Sequence, residues 1–117
     1  MCRDCSRRQS LVFLIGLPLA VAGCRRQSEG PEDIHYSREV CAMCGMVISD
    51  PRYAAEIRGG PDRMLVKFDD IGDAVNWLDM QSWRADPAVE FWVMDSVSGG
   101  EWLDARQAFY MPGTVSP

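Results

Sequence analysis

The apolar segment near the N-terminus decides how much of this 117-residue chain is available to fold. Residues 11–21 are almost entirely apolar and follow Arg7 and Arg8, which is the pattern of an export signal. The segment is far shorter than the roughly 20 residues that a membrane-spanning helix needs. We therefore expect residues 1–23 to be a signal peptide that is cleaved, with the folded part downstream of it.

The residues that end this segment resemble the lipobox of bacterial lipoproteins. They are Val21, Ala22, Gly23 and Cys24, in which small residues precede the cysteine that receives the lipid. The resemblance implies lipid attachment at Cys24, and two or more acyl chains hold a protein stably on a bilayer. We expect a lipoprotein of the cell envelope that faces the periplasm. The alternative is an uncleaved membrane anchor in which the cysteine is incidental.

The next segment is polar and carries no apolar periodicity. Residues 25–33 include Gly30 and Pro31, and such a composition predicts a lipidated flexible tether over residues 24–36. Residues 37–117 are then enough for one domain. The net charge of the whole chain is −5, so it lacks the basic surface that nucleic-acid binding requires. We expect no nucleic-acid partner.

Two β-hairpins are predicted within this domain. The first has strands over residues 53–58 and 64–68, joined by the turn residues 59–62. The second has strands over residues 89–94 and 102–104, with Ser98-Gly99-Gly100 before the last strand. Glycine-rich turns between segments of β-branched and aromatic residues are typical of hairpins. We also expect an extended segment over residues 46–48.

One main helix is predicted between the hairpins. Apolar residues recur at helical spacing from Ile71 to Leu78, which indicates a helix that ends near Gln81. Asp69 or Asp70 can cap its N-terminus. The predicted fold class is therefore α+β, a small antiparallel sheet with one main helix. We expect Met64, Met80 and Met94, which lie in hydrophobic segments, to fill the core.

Cysteine usage points to one functional segment. Of the five cysteines, Cys2 and Cys5 leave with the signal peptide and Cys24 is blocked by lipid, so Cys41 and Cys44 remain. Two thiols three positions apart in an oxidising compartment are either metal ligands or a disulfide. A closed zinc site needs four ligands, and neither a second cysteine pair nor more than one histidine follows the signal peptide, so a self-contained zinc site is disfavoured.

Two methionines make copper the favoured metal. Met43 and Met46 lie within the same six-residue segment as the two cysteines. Thiolate and thioether ligands select Cu(I), which accepts two or three of them. We therefore expect Cys41, Met43, Cys44 and Met46 to supply the ligands. His35 lies at the end of the tether, and we expect its side chain to be solvated.

Four blocks of the sequence also form an ordered series. They are Cys44-Gly45-Met46 with Ile48 and Asp50, then Ala54-Ala55-Glu56-Ile57, then Phe68-Asp69-Asp70-Ile71-Gly72, and last Trp102-Leu103-Asp104-Ala105-Arg106 with Ala108-Phe109-Tyr110. In this order they resemble the NosL family of copper-chaperone lipoproteins, over nearly all of residues 40–111. The resemblance implies an α+β fold of ββα-type units, related to that of organomercurial lyase.

The resemblance also implies a function. It predicts a non-enzymatic, periplasm-facing lipoprotein that binds Cu(I) and supplies the copper centres of nitrous oxide reductase or a related copper protein. Cys44 and Met46 match the metal motif of the family, with Cys41 or Met43 completing the site. Family members continue beyond the Phe109-Tyr110 block, so we expect a domain that is C-terminally short.

Two alternatives stay open from the sequence. The chain can be a thiol–disulfide redox protein that acts through Cys41 and Cys44, or a lipoprotein in which the pair is purely structural. A thioredoxin-like enzyme places such a pair between a strand and the start of a helix. Because the residues after Cys44 are predicted to be extended, the redox alternative is the less favoured.

Overall fold

Two β-hairpins form a four-stranded antiparallel sheet in the computed structural model, which describes residues 28–112. The strands are β1 (Ala55–Gly59), β2 (Met64–Phe68), β3 (Glu90–Met94) and β4 (Trp102–Asp104). Their order across the sheet is β2-β1-β3-β4. The expected signal peptide and the lipid attachment at Cys24 lie outside the described residues.

The first hairpin pairs β1 with β2, with Ala55 opposite Phe68 and Gly59 opposite Met64. Gly60 turns the chain at a φ of 79°, a left-handed conformation that glycine adopts without strain. Strand β1 starts later than predicted because Pro51–Tyr53 form a short 3-10 helix. The Asp50 side chain caps it by accepting the Arg52 N–H at 3.0 Å.

The second hairpin pairs β3 with β4, with Trp92 opposite Asp104 and Met94 opposite Trp102. Strand β3 also pairs with β1, which joins the two hairpins into one sheet. The predicted extended segment over residues 46–48 is present only as a single bridge between Val40 and Val47. Both predicted hairpins are confirmed.

The helix α1 (Ile71–Asp79) follows β2 directly. The Asp70 side chain accepts the Asp73 N–H at 2.9 Å, so the predicted cap is confirmed and belongs to Asp70. The helix ends two residues before Gln81, because the Met80 N–H bonds to the Trp77 carbonyl three residues back. Such tightening is common in the last turn of a helix.

The core lies between α1 and one face of the sheet. Ile57 and Phe68 are fully buried there, together with Ala74 of the helix. The Phe68 and Trp77 rings pack with centroids 5.5 Å apart, which contributes beyond the buried area alone. A four-stranded antiparallel sheet with one main helix confirms the predicted α+β class. Within residues 28–112, no helix has both the length and the apolarity to cross a membrane.

The segment of residues 30–36, here called the strap, lies against the other face of the sheet. Ile34 of the strap is 7% exposed, and the Gly30 N–H donates to Glu90 at 2.9 Å. The Glu32 N–H donates to Glu56, also at 2.9 Å. These residues were expected to belong to a flexible tether, but they pack on the sheet. The buried Ile34 side chain and the hydrogen bonds to Glu56 and Glu90 hold this polar segment in place.

Two of the predicted core methionines are on the surface. Met64 and Met80 are each 63% exposed, because β2 is an edge strand and Met80 is the residue that ends α1. Met94 is partly buried and packs against the core, as predicted. His35 is exposed, as expected.

Candidate metal site

The segment of residues 40–47, here called the cysteine loop, is closed by its own backbone. The Cys41 N–H donates to the Met46 carbonyl at 2.7 Å, and the Gly45 N–H donates to the Cys41 carbonyl at 3.0 Å. Gly45 has a φ of 76°, in the left-handed region where a side chain is strained. The residue types at 41–46 therefore favour a tight turn that holds both cysteines.

The cysteine loop is attached to the sheet at the end of β2. The Ala42 N–H donates to the Lys67 carbonyl at 3.0 Å. Lys67 is the penultimate residue of β2, so this bond places the loop beside the junction of β2 and α1. That junction carries Asp69, just after the strand, and Asp73, in the first turn of the helix.

Four side chains converge where the loop meets this junction. One ligand atom of each lies within 4.8 Å of the others, and the four residues are Cys41, Cys44, Asp69 and Asp73. The Cys41 thiol donates to Asp73 Oδ2 at 3.4 Å. The Cys44 thiol donates to Asp69 Oδ2 at 3.5 Å and Oδ1 at 3.7 Å. Neither thiol is in a disulfide, and each donates a hydrogen bond to a carboxylate of the β2–α1 junction.

The group is buried on one side and open on the other. Cys41 is 2% exposed and Asp69 is 5% exposed, whereas Cys44 is exposed. Metal sites that keep one side open can exchange a ligand there. The arrangement therefore combines two buried ligand side chains, Cys41 and Asp69, with the solvent-accessible sulfur of Cys44.

The electrostatics of the group favour a cation. The Met46 N–H lowers the pKa of the Cys44 thiol, but hydrogen bonding to Asp73, partial desolvation and neighbouring Cys41 outweigh it and raise that pKa to about 12. Among residues 28–112, none of the ion pairs involves Asp69 or Asp73. A bound metal ion would stabilise both thiolates and both carboxylates.

Two of the four predicted ligands belong to the converging group, and the other two lie elsewhere on the cysteine loop. Cys41 and Cys44 are brought together as expected. Met43 and Met46 lie on the same loop, 40% and 53% exposed, and their part in metal binding stays a prediction.

The sequence reasoning missed the two carboxylates. The sequence favours a capping role for Asp69 and predicts no role for Asp73. The small number of cysteines and histidines disfavours zinc, but carboxylate oxygens also bind zinc. The available signal was the position of both carboxylates at a predicted helix start, one just before the cap and one in the first turn.

No protein-family model, curated protein or solved structure matches this chain. The resemblance to the NosL family therefore stays a prediction from the sequence. The geometry itself establishes a coarser point, that a group of two cysteines and two aspartates can hold a metal ion.

Proposed function

We propose that this chain is a membrane-anchored Cu(I)-binding protein that delivers copper to a partner. The Cys44 thiolate and the Met46 thioether hold the ion, and Cys41 or Met43 completes a two- or three-coordinate site. Soft sulfur ligands select Cu(I) over harder cations. Binding and transfer make or break no covalent bond of a substrate, so the proposed function is not enzymatic.

The observation that carries this proposal is the exposure of sulfur on a preformed loop. Cys44 is exposed between two partly exposed thioethers, those of Met43 and Met46. The backbone bonds of Cys41 hold the loop closed before any metal arrives, so little ordering entropy opposes binding. A ligand from a partner can approach Cys44 from solvent.

The location and the partner are proposed from the sequence resemblance. Lipid at Cys24 would hold the domain on a membrane, facing the periplasm. The copper acceptor would be nitrous oxide reductase or one of its assembly proteins, or another periplasmic copper protein.

A thiol–disulfide function is the second candidate, because the two free thiols lie in one group. Disulfide exchange requires a thiolate as the attacking species. The raised pKa of Cys44 keeps that sulfur protonated in the metal-free chain. The carboxylates that oppose thiolate formation would also attract a metal cation, which can displace the thiol proton on binding. They therefore oppose redox exchange more than metal binding.

The proposal is tested by anaerobic Cu(I) titration against a chromophoric chelator. The protein is the full chain with Cys2→Ser, Cys5→Ser and Cys24→Ser, here called the two-thiol chain, in which Cys41 and Cys44 are the remaining thiols. We expect one tightly held copper per chain, lost in the additional variant Cys44→Ser. Failure to compete with the chelator, together with a stable Cys41–Cys44 disulfide in air, would instead support the redox or structural alternative.

A further inference from the structure

We propose that Cys41, Cys44, Asp69 and Asp73 form a second, four-coordinate binding mode that holds a divalent ion of borderline softness, with Zn²⁺ as the ion that fits best. This goes beyond copper delivery, because two of its four ligands are carboxylates that a Cu(I) site does not need. The two modes share both cysteines, so one ion would exclude the other.

The donor set decides the class of ion. Zn²⁺ accepts thiolate sulfur and carboxylate oxygen together and prefers four ligands in a tetrahedron. Ca²⁺ and Mg²⁺ require oxygen ligands throughout. Cu(I) prefers sulfur and is satisfied by two or three ligands. Two sulfurs with two carboxylates therefore match Zn²⁺ better than any of these other ions.

The distances between the four ligand atoms are already close to those around a single metal ion. With Zn–S near 2.3 Å and Zn–O near 2.1 Å, neighbouring ligand atoms lie roughly 3.4–3.8 Å apart. The sulfur of Cys41 lies 3.4 Å from Asp73 Oδ2, and that of Cys44 lies 3.5 Å from Asp69 Oδ2. All four atoms lie within 4.8 Å of one another. Closing around an ion would thus take shifts of about 1 Å.

Burial of Asp69 is the independent observation that points to a cation. Asp69 is only 5% exposed, and its side-chain hydrogen bonds in the described part of the chain come from one thiol, that of Cys44. A buried carboxylate is costly unless a cation or strong donors compensate it. The basic side chains that form ion pairs in residues 28–112 serve other carboxylates. A metal ion at the group would supply the missing positive charge.

The position of the carboxylates separates the two modes. Asp69 and Asp73 belong to the β2–α1 junction, on the side where Cys41 is buried. The thioethers of Met43 and Met46 belong to the exposed loop. The inner mode therefore depends on the carboxylates, and the copper mode depends on the thioethers.

The test titrates the reduced two-thiol chain with Zn²⁺ and, as a spectroscopic probe, with Co²⁺. The variants are Asp69→Asn and Asp73→Asn, and the matched control is Asp79→Asn, an exposed aspartate at the end of α1. We expect each ligand variant to lower Zn²⁺ affinity at least tenfold, with no change in the control. The Co²⁺ complex should show thiolate-to-metal charge transfer and the intense visible bands of a tetrahedral ion.

Circular dichroism of the metal-free variants establishes that they fold. If Asp69→Asn alone misfolds, Asp73→Asn carries the test, because the Asp73 side chain is only half-buried. Zn²⁺ affinity that is unchanged in a folded Asp73→Asn variant would overturn the inference, as would an octahedral Co²⁺ spectrum without thiolate bands.

Cu(I) titration of the same variants keeps the two proposals apart. We expect the aspartate variants still to bind one Cu(I) per chain in competition with the chelator, since copper uses the sulfurs. Aspartate-dependent Zn²⁺ binding without Cu(I) binding would overturn the copper proposal alone. Cu(I) binding without aspartate-dependent Zn²⁺ binding would overturn this inference alone.

Discussion

The sulfur of Met46 is the atom that most clearly separates a copper site from a disulfide. Met46→Leu removes the thioether and nearly conserves side-chain volume. We expect the Cu(I) affinity of the two-thiol chain to fall by about tenfold or more, the equivalent of about 1.4 kcal/mol. The measurement is the chelator competition described above.

Met80→Leu is the matched control for this substitution. Met80 is also well exposed, at 63%, but lies at the end of α1 rather than on the cysteine loop. Its replacement should leave Cu(I) affinity unchanged. Equal affinities in the two variants would remove Met46 from the site.

Glu56 makes stability depend on pH. It is fully buried, and one of its oxygens accepts the Glu32 N–H while the other has no partner in residues 28–112. Burial raises its pKa from 4.5 to about 7, against the opposing effects of the Glu32 N–H and of Lys67 and Arg58. Between these two values the folded chain binds more protons than the unfolded chain.

The free energy of unfolding should therefore fall as the pH rises from about 4.5 through 7. Each unit by which the two pKa values differ is worth about 1.4 kcal/mol, so the loss from this residue is at most about 3.5 kcal/mol. Urea unfolding of wild type and Glu56→Gln at pH 5 and pH 8 measures it. A pH dependence of the same size in Glu56→Gln would contradict this assignment.

At the residue scale, sequence reasoning could find the sulfurs and not the oxygens. Cys41 and Cys44 are neighbours in the chain, so their spacing alone brings them together. Asp69 and Asp73 lie 25 and 32 residues from their thiol partners. The Ala42 to Lys67 hydrogen bond holds the loop beside the strand that precedes these aspartates, and such a long-range contact leaves no local pattern in the sequence.

At the scale of the elements, the stability of the first hairpin depends on the close packing of the Trp83 ring against Gly59. A Cβ at Gly59 would overlap with the ring of Trp83, which packs edge-on against Trp77 of α1. Gly59→Ala must therefore push Trp83 out of place. We expect a loss of about 1–3 kcal/mol, typical of overpacking, measured by urea unfolding.

Gly100→Ala is the control, because a Cβ at Gly100 meets nothing within 4 Å. It removes a glycine from the other hairpin without a steric clash. We expect its stability to change by less than about 1 kcal/mol. Equal losses of stability in the two variants would show that the clash with Trp83 does not determine the effect of Gly59→Ala.

The hairpins and the helix were predictable for local reasons. Their turns carry glycine, their strands carry β-branched and aromatic residues, and Asp70 caps the helix from the position next to it. The strap was missed because its only buried apolar residue, Ile34, gives no periodicity. Its other contacts include hydrogen bonds to Glu90 and Glu56 and an ion pair with Arg58. These partners lie far along the chain, so the strap's own sequence does not encode the contacts.

In the molecule as a whole, Lys67 links the strap, the cysteine loop and the sheet. Its Nζ donates to the Asp33 carbonyl and to both carboxylate oxygens of Glu39, each at 3.0 Å. Its backbone carbonyl accepts the Ala42 N–H. One residue of an edge strand thus connects the strap and the cysteine loop to the sheet, so the strap contributes to the same cooperative unit.

Ile34→Ala tests whether the strap belongs to that unit. Ile34 is 7% exposed and part of the core, so we expect a loss of about 2–4 kcal/mol, as for other buried isoleucines. The adjacent exposed residue supplies the control His35→Ala, which should change stability by less than about 0.5 kcal/mol. If the Ile34→Ala variant were as stable as wild type, the result would support the expectation of a flexible tether.

The proposal of a sulfur-bound Cu(I) ion is tested most directly by X-ray absorption at the copper edge. The sample is the two-thiol chain loaded anaerobically with one equivalent of Cu(I). We predict an edge typical of Cu(I) and a first coordination shell of two or three sulfurs, with one fewer in Met46→Leu. A first shell dominated by oxygen or nitrogen, or a spectrum identical in Met46→Leu, would contradict the account.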